Sequence, residues 1–86
     1  MTLNTAIILT QAFAKDHLKN DYDYKWERFI DNLTGDALRC VKTNGGFAAF
    51  IKQWDGYNGV NKKVVNEFYK AARIVVEGAD KIEFDW

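Results

Sequence analysis

Few side chains in this sequence could carry out nucleophilic or acid–base chemistry, and none are spaced as catalytic sets require. Cys40 and His17 are the only thiol and the only imidazole, and no pattern places them together. Serine is absent, so a hydroxyl triad could be built only with threonine. A free cysteine is commonly a small buried hydrophobe, and a histidine near a helix end is commonly solvated. The sequence therefore predicts that the protein is not an enzyme.

Metal and cofactor sites are not predicted either. A zinc site takes three or four protein ligands, more than one cysteine and one histidine supply. Asp16, Asp21 and Asp23 are close in sequence and could hold a divalent cation, but helix capping and solvation beside neighbouring lysines explain them. The loop from Asp55 lacks the spacing of a calcium-binding loop, and no phosphate-binding glycine motif occurs. We expect neither a metal nor a cofactor.

The aromatic residues are the most informative group. The chain has six Phe, four Tyr and three Trp, more than a core of this size needs, which predicts that several lie at the surface. Exposed tyrosine and tryptophan often anchor protein interfaces, because they bring large, rigid contact area with a polar handle. Five candidates lie in polar or glycine-rich segments or at the chain end: Tyr22, Tyr24, Tyr57, Phe84 and Trp86. The alternative for Trp86 is that it folds back into the core.

A second candidate surface is basic. Four cationic residues fall on the outer face of the last predicted helix: Lys62, Lys63, Lys70 and Arg73. Glu67 and Glu77 interrupt them, and twelve Lys and Arg balance twelve Asp and Glu in the whole chain. A nucleic-acid surface normally shows a basic excess, so this pattern favours a solvated helix face over nucleic-acid binding.

Length and composition limit the organisation of the chain. Its 86 residues suffice for one hydrophobic core, so we expect a single globular domain over residues 1–86. The apolar share of 48% is enough to form that core. A lone cysteine fits a reducing compartment, and the apolar run 6–9 is too short for a signal sequence or a membrane span. These features predict a cytoplasmic protein without a membrane association.

The spacing of apolar residues and turn residues predicts an all-α bundle. There is no proline, so helix ends must be set by glycine and by capping side chains. Apolar residues recur at helical spacing, and the predicted helices span residues 3–19, 24–33, 37–43, 47–54 and 61–77. Residues 61–77 give the clearest helix, with Asn61 as its cap. Residues 3–19 are apolar around most of the helix circumference, which predicts a central element.

Two further segments carry distinct patterns. Ile82, Phe84 and Trp86 alternate with charged residues, which predicts an extended C-terminal tail. The segment 43–46, Thr-Asn-Gly-Gly, is also a strong hairpin turn, so an α+β fold with a hairpin at residues 37–52 is the alternative to the bundle.

These observations favour a small protein-binding module that acts by contact with another protein. A short chain that is rich in aromatics and free of catalytic motifs suits an accessory protein of a phage or mobile element that inhibits a host enzyme or defence complex. The alternative is a self-associating structural protein, in which the first helix or the tail pairs with its symmetry mate. Nucleic-acid binding and a small enzyme are less favoured.

Overall fold

The protein is all-α, as its sequence predicts, with four α-helices where five were expected. The computed structural model describes residues 1–43 and 45–84. Within them the helices are α1 (Leu3–Leu18), α2 (Ile30–Lys42), α3 (Gly46–Trp54) and α4 (Lys62–Gly78). Three short 3₁₀ segments, Lys19–Asp21, Tyr24–Arg28 and Tyr57–Gly59, connect them.

Helices α2 and α4 form the centre of the molecule, and each packs against the three other helices. The buried stripe of α4 is its apolar arc, as the spacing predicts: Val64, Val65, Phe68, Ala71, Ala72 and Val75. The predicted cap is also present, because the Asn61 side chain accepts a hydrogen bond from the Val64 backbone N–H at 3.1 Å. One continuous core lies between α4 and the other helices.

The predicted helices 24–33 and 37–43 are wrong in their boundaries. Residues Tyr24–Arg28 form 3₁₀ turns, and the chain leaves helical geometry at Phe29 (φ −128°, ψ 3°) before α2 begins. The helix α2 then runs without a break through residues 34–36, Thr-Gly-Asp, which were predicted to end it. The Thr34 hydroxyl donates to the Ile30 carbonyl oxygen at 2.6 Å, so its polar group is satisfied inside the helix. Without proline, a single buried glycine costs the helix only about 1 kcal/mol.

The alternative hairpin at residues 37–52 is also wrong, because this range contains the second half of α2 and most of α3. Its glycines serve a helix-to-helix turn. Gly45 lies in the left-handed region (φ 72°), a conformation that glycine adopts without steric cost, and α3 begins at the next residue.

Helix α1 is not the central element that its all-round apolar sequence predicts. It buries one stripe of mostly small residues, Ala6, Thr10, Ala14 and Leu18, while Ile8, Leu9, Ala12 and Phe13 are exposed. Helix α1 packs most extensively against α4, which contributes Ala71 and Ala72 to the core. Small side chains allow two helices to approach closely, so the larger apolar residues of α1 are left on its outer side.

The C-terminal tail is extended over its described part, as predicted. Glu83 forms a parallel bridge with Thr2, and its backbone N–H donates to the Met1 carbonyl oxygen at 3.0 Å. Ile82 is buried in the core. No helix in the described part of the chain combines the length and the hydropathy needed to cross a membrane.

Candidate protein-binding surface

Six aromatic residues gather where the 3₁₀ turns, the start of α2 and the end of α3 meet. We call this cluster the aromatic end: Tyr22, Tyr24, Trp26, Phe29, Trp54 and Tyr57. Its first segment is set by Asp23, whose side chain accepts a hydrogen bond from the Lys25 backbone N–H at 2.9 Å. This cap starts the turns that place Trp26 and Phe29 in the core.

The rings of the aromatic end pack in two groups. Tyr22 contacts Tyr24 and Trp26 edge to face, with centroid distances of 5.8 and 5.6 Å. Phe29 and Trp54 are stacked at 5.9 Å, and Tyr57 meets them edge to face at 5.1 and 5.0 Å. These are favourable geometries for aromatic pairs, so each exposed ring is supported by another ring.

Hydrogen bonds hold the two groups together. The Trp26 indole N–H donates to the Asn58 carbonyl oxygen at 3.1 Å, which ties the first group to the loop that carries Tyr57. The Trp54 indole N–H donates to Asp36 at 3.1 Å. The loop itself is closed by the Gly56 N–H, which donates to the Val60 carbonyl oxygen. The rings are therefore held in a defined arrangement.

Exposure divides the aromatic end into a floor, the half-buried Tyr22 and two projecting rings. Trp26, Phe29 and Trp54 are buried and form the floor. Tyr24 is 81% exposed and Tyr57 is 46% exposed. A monomer gains little by displaying such rings, so they are candidates for contact with a partner.

Ion pairs border the aromatic end. Lys15 pairs with Glu27 at 3.0 Å, and its ammonium group also lies 4.9 Å from the centre of the Tyr22 ring. Lys63 pairs with Asp21, and its hydrogen bond to that carboxylate raises the pKa of Lys63 above its ordinary value. Both pairs are well exposed and contribute little to stability, but they give the aromatic surface a polar rim.

The hydroxyl of Tyr22 is buried close to the Glu27 carboxylate, but it makes no hydrogen bond of normal geometry with a described residue. Burial, followed by the nearby Glu27 carboxylate, raises the pKa of this hydroxyl far above its ordinary value. The neutral form is therefore favoured by folding, and the stability that it provides is present below about pH 10 and is lost at higher pH.

We expect Tyr22→Phe to raise the free energy of unfolding by about 1 kcal/mol at pH 7, because it removes an unsatisfied buried hydroxyl. The variant should also lose less stability than the wild type between pH 9 and about pH 11, since it has no phenol to ionise at this site. Denaturant titrations at these pH values measure both effects. A clear destabilisation by the variant at pH 7 would show that the hydroxyl makes a favourable interaction.

Phe84 does not join the predicted tyrosines in one described surface. Phe84 is half-buried beside the last turn of α2, where the Lys42 ammonium group lies 4.4 Å from its ring centre. Phe29, in the aromatic end, precedes the opposite end of that helix. Trp86 lies outside the described residues.

The predicted basic face of α4 is largely paired. Lys70 and Arg73 approach Glu67 and Glu77 at 3.9 and 3.4 Å, and Lys63 pairs with Asp21. Lys62 is exposed at the start of the helix. The face thus combines opposite charges along its length.

One apolar surface is not predicted by the sequence. Ile8 (59%), Phe13 (41%) and Ile74 (55%) are exposed apolar residues on the α1 and α4 side of the molecule, together with Leu9 (37%). Phe13 and Ile74 border a shared cleft of about 140 Å³. The small-residue stripe at positions 6, 10 and 14 was the available signal, because it marks the side of α1 that can approach another helix.

The residues considered for chemistry are dispersed. Cys40 is half-buried in α2, where burial, followed by the charge of Asp36, raises the pKa of its thiol; a raised pKa lowers its reactivity at neutral pH. His17 is exposed on α1, in the cleft beside Phe13. Asp21 and Asp23 are used in an ion pair and a cap. In residues 1–43 and 45–84, no three His, Cys, Asp or Glu side chains group as metal ligands.

A groove of about 520 Å³ with a mixed polar and apolar lining lies between the first half of α1, α2 and the end of α3. Its two carboxylates are already hydrogen-bonded: Asp31 accepts from the Gln11 amide at 2.7 Å, and Asp36 accepts from the Trp54 indole. These bonds serve helix packing, and they connect α1 to α2 and α2 to α3.

Comparison of the chain with protein-family models, with curated proteins and with solved structures finds no match. We therefore infer a function from the surfaces of the molecule. The aromatic end is the most organised of them, because it combines a buried floor, two projecting rings and a polar rim.

Proposed function

We propose that this chain is a small cytoplasmic protein-binding module that acts by contact with a larger protein and not by catalysis. The aromatic end is its binding surface. The observation that carries the proposal is the exposure of Tyr24: its ring is 81% exposed, although it packs edge to face against Tyr22.

The physical basis of the proposal is that little conformational entropy is lost when a partner binds rings that already contact other rings. A tyrosine side chain has few rotatable bonds, and each of the two exposed rings already contacts another ring. Binding then loses little conformational entropy and gains the burial of a large ring. Ion-paired residues around the rings form the polar rim that interfaces use to exclude water from their anchors.

This surface fits a partner with a shallow apolar pocket and a hydrogen-bond acceptor near its rim for the phenol hydroxyl. The finer proposal is that the partner is a host enzyme or defence complex, and that the chain is an accessory protein of a phage or mobile element that inhibits it. Support for the finer proposal comes from the aromatic richness of the chain.

Site-specific photocrosslinking tests the proposal. With p-benzoylphenylalanine in place of Tyr24, we expect one discrete crosslinked protein in bacterial cells, because the probe lies at the centre of the contact. The same probe in place of Phe47, which is 37% exposed on α3, is the matched control and should give no such product. Equal products at both positions, or none at position 24, would contradict an interface at the aromatic end.

A further inference from the structure

The outer side of α1 is an unpartnered apolar face. Its members are Ile8, Leu9, Ala12 and Phe13, all of them exposed, and Thr5 and Asp16 lie on the same side at either end. At 100° per residue these six positions fall within an arc of about 140°, which is the width of one helix–helix contact. We call this set the outer face of α1.

The outer face of α1 carries no charge over most of its length. No Asp, Glu, Lys or Arg occurs between Met1 and Lys15, so the first three turns of the helix lack the charged residues that normally cover a solvent-facing side. Asp16 is the first charge on the face, and it makes no ion pair with a described residue. An apolar helix face of this kind favours contact with another helix.

We propose that the outer face of α1 binds the same face of a second copy of this chain, with the two helices antiparallel about a two-fold axis beside residues 10 and 11. This arrangement places Ile8 opposite Ala12 of the second copy and Leu9 opposite Phe13 of the second copy. Ile8 then packs against the small Ala12 side chain, and Leu9 packs against Phe13 on the same side of the contact, as close packing requires.

Charge complementarity selects the antiparallel direction. The same axis brings Asp16 next to Thr5 of the second copy, in the first turn of its α1. That turn has no acidic residue of its own, although the amino end of a helix carries a partial positive charge that favours a neighbouring carboxylate. Parallel pairing would place the two Asp16 carboxylates side by side, where they would repel each other.

The expected strength follows from the size of the contact. Helix α1 has 16 residues, so it is about 24 Å long, and one pair of such helices gives an interface in the weak size class, below about 1,200 Å² in total. We therefore expect dissociation in the micromolar range. The pairing goes beyond the proposed function, because it uses no residue of the aromatic end. A dimer formed in this way would carry two aromatic ends.

Sedimentation equilibrium between about 5 and 200 µM tests the pairing. We expect the wild type to shift from monomer towards dimer across this range, and Ala12→Glu to weaken the association by about tenfold or more, because it buries a charge in an apolar contact. Ala49→Glu is the matched control, an exposed helical alanine on α3, and should leave the association unchanged. A wild type that stays monomeric, or equal effects of both variants, would overturn the proposal.

A second variant tests the direction of the helices. Thr5→Lys should tighten the dimer by about twofold to fivefold, because the new ammonium group faces Asp16 of the second copy. In a parallel pair the two lysines would face each other and weaken the dimer. Weakened association in this variant would therefore contradict the antiparallel arrangement, and its helix content by circular dichroism shows that α1 is intact.

Discussion

Gly46→Ala should lower the free energy of unfolding by about 3 kcal/mol or more. This is a large effect for a substitution that only adds one methyl group. The stability of a domain of this size is about 5 to 10 kcal/mol. The variant should therefore unfold at a much lower temperature or fail to accumulate in soluble form.

The cause is the close approach of two helices at their ends. Gly46 is the first residue of α3 and is buried, and a Cβ atom at this position would overlap the carbonyl oxygen of Cys40 in α2. The atom in the way belongs to the backbone, so no side-chain rotation relieves the overlap. Relief requires α3 to move away from α2, which would disturb the packing of Phe50 in the core.

Gly78→Ala is the matched control for this prediction. Gly78 ends α4, and a Cβ atom there would meet no other atom within 4 Å. We expect it to change the free energy of unfolding by less than about 0.5 kcal/mol, as is usual for exposed sites. Chemical denaturation of both variants measures the difference, and equal stability of the two would contradict the close α2–α3 approach.

Phe68→Ala should cost about 3 to 5 kcal/mol, because it removes a fully buried ring and leaves a cavity that the core cannot close. Phe68 is 0% exposed and lies in the middle of the buried stripe of α4. Since α4 packs against the three other helices, the cavity would weaken all of these contacts together.

Ile74→Ala is the control on the same helix. Ile74 is 55% exposed, so its loss should cost less than about 1 kcal/mol. Thermal unfolding of the two variants compares a buried and an exposed apolar residue six positions apart. A cost for Phe68→Ala no greater than that for Ile74→Ala would show that α4 is not the central helix.

Helix α4 could be predicted from the sequence because its residues sort by polarity. Apolar side chains fall on one arc and charged side chains on the other, and Asn61 marks the start. Both signals are local, and both depend on solvent exposure, which is the property that hydropathy measures. The fold class followed from this type of pattern.

The position of α1 could not be predicted in this way, because nearly every side of that helix is apolar. Hydropathy does not distinguish the side of Ala6 and Ala14 from the side of Ile8 and Phe13. Side-chain size decides instead, since the small residues allow α1 to approach α4, and that preference depends on the tertiary partner. The outer face of α1 was therefore missed.

The predicted helix boundaries around residues 24–36 were wrong for a related reason. Thr34 and its two following residues are weak helix formers, and their local preference predicts a break. In the folded chain, the Gln11 amide donates to the Thr34 hydroxyl at 3.2 Å, and Asp36 accepts from Trp54. These contacts with distant residues satisfy the polar groups that would otherwise favour a loop.

The exposed tyrosines were found from their polar and glycine-rich surroundings, but their assembly was not. Tyr24 and Tyr57 are 33 positions apart, and tertiary contacts, the Trp26–Asn58 hydrogen bond and the Phe29–Tyr57 ring pair, bring their segments together. No local pattern encodes such a contact.

One calorimetric measurement tests most directly whether the chain acts through its aromatic end. It is the affinity of the Tyr24→Ala variant for the partner that is crosslinked at position 24. We predict binding about 30-fold weaker than that of the wild type, as expected for the loss of an interface anchor, with the free energy of unfolding within about 0.5 kcal/mol of the wild-type value. Affinity within twofold of the wild type for both Tyr24→Ala and Tyr57→Ala would contradict the account.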